Sequence, residues 1–116
     1  LDNGLVPTFI GIDAVVAVVN GAGVDNVTLE QLALLYSGGI EHWSEIGGSD
    51  RPVAVISREE GSGTRECFDG KMSDALDGWE LKDYCVKFNN TGGVISMVNF
   101  ALGSIGYISV GQLHNL

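Results

Sequence analysis

Two arginines, three hydroxyl residues and two glycines crowd one short run, Ser57-Arg58-Glu59-Glu60-Gly61-Ser62-Gly63-Thr64-Arg65. A short apolar segment, Pro52 to Ile56, precedes it, and a helix-forming segment from about Ser62 to Leu76 follows. The run therefore sits at a strand-to-helix junction. A helix start leaves about four backbone N–H groups without intrahelical acceptors. The helix dipole adds partial positive charge there, so an oxyanion placed at that end meets convergent donors. Gly61 and Gly63 remove side chains that would hold a tetrahedral anion off the backbone. Ser62 and Thr64 add hydroxyl donors, and Arg58 offers a two-pronged, charge-assisted contact. Ser57 and Gly61 support the loop, and Arg65 brings a second positive charge to its end.

Glu60 needs a reason to stand beside a bound anion. Two roles are open to it: holding Arg58 through a salt bridge, which is the favoured one, or accepting a proton from a protonated oxyanion. Each part also has a bland reading. Gly-Ser-Gly-Thr serves equally as a helix cap, Arg58 as a surface charge, and Arg65 as decoration of a first helical turn. The run is not a P-loop: the lysine after the last glycine and the four-residue spacer are both missing.

The elements that must position this loop alternate along the chain. Ile10 to Val19 is almost continuously apolar and reads as one strand buried on both faces. Thr28 and Gln31 have the spacing of a capping box. Leu29, Leu32, Ala33 and Tyr36 then share one helical face, and Gly38-Gly39 stops the helix. Ile40 to Asp50 reads as a loop around Trp43. Residues 77–84 form a connection, Cys85 to Phe88 a short strand, Gly93 to Leu102 a helix and Ser104 to Val110 a last strand. Strand–helix alternation predicts an α/β fold of three layers, α/β/α, with a mainly parallel central sheet. Ligands in such folds gather beyond the carboxyl ends of the strands. A second junction, Asn89-Asn90-Thr91-Gly92-Gly93, is expected at that same edge. Thr91 and Gly92 either cap a helix or line the mouth of a cleft.

Composition narrows the partners. The chain of 116 residues suits a single domain. Its net charge of −9 argues against a nucleic-acid partner, which demands basic surface. Arg58 and Arg65 are two of only six basic residues, so positive charge is concentrated locally. No leader-like segment and no apolar run of bilayer length appears, and a mature fragment or excised piece is expected. Cys67 and Cys85 are too few for a zinc site, and read as one disulfide or as two small buried side chains. No cofactor is expected.

Ser-Arg-Glu-Glu-Gly-Ser-Gly-Thr-Arg resembles the phosphate-contacting loop of the phosphate-binding proteins that feed ATP-driven uptake systems, within the type II periplasmic binding proteins. The resemblance extends through Thr28-Leu-Glu-Gln-Leu, Tyr36-Ser-Gly-Gly-Ile40, Trp43 and Ile46-Gly-Gly-Ser-Asp50. It continues in Thr91-Gly92-Gly93-Val94 and Gly103-Ser104-Ile105-Gly106-Tyr107. It implies that residues 1–116 are one lobe, the second, of a two-lobed protein holding phosphate between its lobes. Arg58, Ser62, Gly63 and Thr64 would then contact phosphate, with Glu60 bracing Arg58. The family often has a smaller acid at the Glu60 position. The missing first lobe would supply the enclosing donors and an acidic acceptor, and a membrane permease would be the transport partner. An extracytoplasmic location follows from the same resemblance. Residues near Leu5 to Gly11 and Gly111 to Leu116 would lead into the absent lobe.

Catalysis is disfavoured: His42 and His114 are not placed by the sequence beside Ser62, and no Gly-x-Ser-x-Gly elbow is present. A lobe for molybdate or sulfate, or a sensory or adhesion module reusing the fold, remains an alternative. Trp43, Trp79 and Tyr107 read as core or edge aromatics.

Overall fold

The computed structural model describes residues 8–12, 15–24, 27–82 and 85–109. The apolar stretch near the start forms two strands rather than one, β1 (Thr8–Ile12) and β2 (Val15–Asn20). They pair antiparallel, with Ile12 opposite Val15. Periodicity could not separate them, because a strand buried on both faces and a pair of short strands are both continuous apolar runs. In β2, Val15, Ala17 and Val19 face one core cluster and Val16 and Val18 face another.

Thr28 caps α1 (Leu29–Ser37), and its side chain and that of Gln31 exchange backbone hydrogen bonds in a capping box. Gly38 ends the helix at φ 92°, in the left-handed region that glycine enters without penalty. The buried face is Leu32, Ala33, Leu35 and Tyr36, whereas Leu29 lies at the edge, 44 % exposed. Trp43 opens a 3₁₀ turn, Trp43–Ile46, and is fully buried, its indole N–H donating to the Gly103 carbonyl at 2.8 Å.

The chain continues through β3 (Ala54–Arg58), α2 (Gly63–Ala75), β4 (Val86–Phe88), α3 (Thr91–Phe100) and β5 (Ser104–Ser109). The strand order is β1-β2-β5-β3-β4. Pairings of β3 with β5 and β4 are parallel, and those of β2 with β1 and β5 antiparallel. The α/β class is as expected, and the sheet is mixed because β2 runs antiparallel to both its neighbours, β1 and β5. Residues of α1 and α2 share the first core cluster with Ile105 and Tyr107. On the other face, Val94 and Val98 of α3 pack with Val16, Val18, Ile56 and Ile108. Asn20 ties the end of β2 to α3 through a bond to the Val98 carbonyl at 2.8 Å.

β3 changes neighbours along its length. β3 pairs with β5 only at Ala54 and Val55, then with β4 at Ile56, Ser57 and Arg58. Its last residues have parted from β5, leaving a fork between the two strands. Thr8–Gly11, expected to lead out of the lobe, are paired in the sheet; residues 111–116 lie outside the described residues.

Candidate functional site

Strand β3 runs farther than the sequence suggests, so Ser57 and Arg58 are its last residues rather than loop residues. A tight turn follows, closed by the Ser62 N–H donating to the Glu59 carbonyl at 3.3 Å. Its third residue, Gly61, has φ 90°, which explains the glycine. Ser62 then caps α2, its Oγ accepting from the Arg65 N–H at 3.2 Å. That bond, with the Glu66 N–H on the Ser62 carbonyl, uses donors of the first turn. The N–H groups of Gly63 and Thr64 precede any intrahelical acceptor. A Cβ built on Gly63 would meet nothing within 4 Å. Among the described residues no packing demand accounts for the glycine there.

Arg58 is held close to the protein, its side chain only 12 % exposed. Its Nε donates to Glu59 Oε1 at 3.1 Å. This corrects the expected brace: the acid engaging Arg58 is Glu59, not Glu60. The turn carries Glu60 into solvent, where it is exposed. Arg65 does more than decorate a helix. Its Nε donates to Asp69 Oδ2 at 3.1 Å and its Nη1 to the Arg58 carbonyl at 3.4 Å. Burial pushes the Asp69 carboxyl up, against the opposing pull of Arg65. Its Oδ1 is buried without a partner among the described residues.

Ser57, 1 % exposed, shares a 2.7 Å hydrogen bond with the Tyr107 hydroxyl, which also accepts from the Arg58 N–H at 3.3 Å. The Tyr107 ring stacks on Phe68 of α2, centroids 3.9 Å apart, and Tyr36 meets both rings edge-on. Burial pushes the Tyr107 phenol up to about 12. Tyr107 is thus a polar support of the site as well as a core aromatic. The sequence carried one signal for it, since a tyrosine in a buried strand needs a partner for its hydroxyl.

The second junction lies at the same edge. Arg58 and Phe88 are register partners, and the Glu59 N–H donates to the Phe88 carbonyl at 3.1 Å. Helices α2 and α3 therefore both begin beyond the carboxyl ends of neighbouring parallel strands. Asn90 caps α3, its side chain accepting from the Gly93 N–H at 2.7 Å. Thr91 and Gly92 form the first turn, Thr91 half-buried and Gly92 exposed. Gly93 has a packing reason: a Cβ would come within 2.6 Å of the Phe88 ring.

The remaining candidates sit apart from this edge. His42 bridges to Pro52, before β3 begins, and lines a cleft of about 270 Å³ with Glu41, Pro52, Val53 and Lys82. That is the opposite end of β3 from Ser62. His114 lies outside the described residues. Cys67 and Cys85 are free, half-buried thiols, which removes the disulfide alternative. Among the described residues no cluster of histidine, cysteine and acidic side chains is placed to hold a metal ion. No described helix is long and apolar enough to cross a membrane.

Known proteins resemble this chain over nearly its whole length. The chain is 30% identical over 110 residues to the phosphate-binding protein PstS of Bacillus subtilis (strain 168), covering 94% of this chain and 35% of that protein. The crystal structure of PstS from Borrelia burgdorferi superposes with a TM-score of 0.81 at 25% identity, over 95% of this chain and 44% of that one. An ABC-type phosphate transport receptor from Vibrio cholerae superposes with a TM-score of 0.77 at 32% identity, over 97% and 47%. The chain thus spans less than half the length of these relatives. The sequence profile of the PBP superfamily domain matches residues 2–116, so the chain belongs to the PBP superfamily.

Proposed function

We propose that residues 1–116 form one lobe of a two-lobed solute-binding protein and supply half of a phosphate site. The observation that carries the reading is the start of α2 beyond the end of β3. There the N–H groups of Gly63 and Thr64 precede any intrahelical acceptor, and Gly63 opens onto empty space. In this reading Arg58 clasps the anion through its outer guanidinium nitrogens, Gly63 and Thr64 donate from the backbone, and the Ser62 and Thr64 hydroxyls complete the set. Glu59 steadies Arg58. Glu60, free of that task, stands at the rim as an acceptor for a protonated oxyanion. Thr91 and Gly92 border the cleft. A carboxylate acceptor favours phosphate, which keeps a proton at neutral pH, over fully ionised sulfate.

The likeness to phosphate-binding relatives supports the same assignment. By that likeness the whole protein works outside the cytoplasm, enclosing phosphate with its other lobe and delivering it to a membrane permease of an ATP-driven importer. It binds without turnover. The test is isothermal titration of inorganic phosphate into the two-lobed protein carrying Arg58→Ala. Loss of one charge-assisted contact should weaken affinity about tenfold to a hundredfold. Unchanged affinity would remove Arg58 from the site.

A further inference from the structure

The fork between β3 and β5 lies directly behind the loop, and side-chain hydroxyls fill it where backbone pairing stops. The last β3–β5 partners are Val55 and Ile105. Just beyond them, Tyr36 Oη lies 2.8 Å from the Ile56 carbonyl and 3.1 Å from the Ile105 carbonyl, donating between them. One step farther, the Tyr107 hydroxyl reaches Ser57 Oγ at 2.7 Å and accepts the Arg58 N–H at 3.3 Å. The opposite face of that residue is also held: the Arg58 carbonyl accepts from Arg65 Nη1 at 3.4 Å, with Arg65 fixed by Asp69 at 3.1 Å. Both backbone polar groups of Arg58 are thus bonded by side chains, one from β5 and one from α2. The Tyr107–Phe68 stack, 3.9 Å apart and 3° from parallel, ties those two elements to each other.

A strand that has lost one neighbour ordinarily frays at its end. Here the last residue is the one whose side chain must meet an anion. We propose that Tyr107 and Arg65 are positioning residues, which clamp the Arg58 backbone and so set the direction from which its guanidinium reaches the anion. Neither side chain touches the ligand. The clamp rests on the phosphate reading of the loop, and it assigns Arg65 to the support of the site rather than to its cleft.

The experiment is a double-mutant cycle in the two-lobed protein, titrated with inorganic phosphate. Tyr107→Phe keeps the stacked ring and removes the hydroxyl. It should weaken binding about tenfold, because a partly buried donor loses its acceptor. In an Arg58→Ala background the same change should cost nothing further, since there is no guanidinium left to aim. A merely structural tyrosine would lower affinity by the same factor in both backgrounds, and that result overturns the proposal. Arg65→Lys provides a second variant should Tyr107→Phe fold poorly. A single ammonium cannot reproduce the fork that spans Asp69 and the Arg58 carbonyl, so the same pattern is expected. Amide hydrogen exchange of the ligand-free protein supplies a readout without phosphate. Tyr107→Phe should speed exchange at Arg58 more than at Ile56, and equal protection in both proteins would sink the clamp. If Arg58→Ala alone leaves affinity intact, Arg58 is removed from the site and the clamp loses its purpose. If Arg58→Ala weakens binding and Tyr107→Phe does not, the clamp alone fails.

Discussion

Gly61 and Gly63 stand two positions apart in one turn and are glycine for different reasons. Gly61 has φ 90°, a conformation that crowds any Cβ against its own backbone, although nothing else lies within 4 Å. Gly63 has neither a positive φ nor a neighbour within 4 Å. Their alanine variants should therefore separate. Gly61→Ala should cost about 1–2 kcal/mol of stability through left-handed strain. Gly63→Ala should leave the urea midpoint unchanged or slightly raised, since alanine is the better helix former by up to about 1 kcal/mol. Its phosphate affinity should fall, because the added methyl occupies the space the anion needs. Equal affinity with and without that methyl would move the anion away from Gly63. Residue types alone placed Arg58, Ser62 and the glycines at one strand-to-helix junction, and the fold has them there. They did not resolve Glu59 from Glu60, because two adjacent acids are chemically equivalent and only the path of the turn decides which one meets the guanidinium.

Element boundaries were legible where a cap has its own chemistry. Thr28 with Gln31, Gly38, and Ser62 mark helix ends whose side-chain bonds or left-handed geometry are present in the fold. They were illegible where the signal was only apolar: β1 and β2 merge into one hydrophobic run, and Arg58 at the end of β3 carries no strand signature. Leu29 and Leu35 show a similar limit, since both suit a helix and only the packing decides which one is buried. The seating of α3 on the sheet offers a test at this scale. A Cβ on Gly106 of β5 would come within 2.7 Å of Val94 and 3.1 Å of Val98. Gly106→Ala should therefore destabilise by about 1–3 kcal/mol through overpacking, read as a lowered midpoint in urea. A midpoint equal to that of the parent would mean that α3 sits farther from the sheet than described.

On the scale of the whole molecule, the proposed donors would close only one side of an anion. A phosphate held at this edge would face water on the other, where each charged contact is weakened by a high dielectric. The net charge of −9 adds long-range repulsion against an incoming anion. If residues 1–116 are the proposed half-site, the chain alone should bind phosphate only in the millimolar range or more weakly, about −4 kcal/mol or less, as measured by chemical-shift titration. Submicromolar binding by the monomeric lobe would show that the half-site reading is incomplete.

The stacked rings of Phe68 and Tyr107 have an optical meaning as well. Two tyrosines and a phenylalanine locked edge-to-face and face-to-face lie in an asymmetric environment, with Tyr107 bonded to the residues that present Arg58. Such a cluster gives near-ultraviolet circular dichroism that fades when the rings gain freedom. The protein thus contains its own chromophore at the foot of the loop, and the order of the proposed anion site can be followed by light without attaching any label.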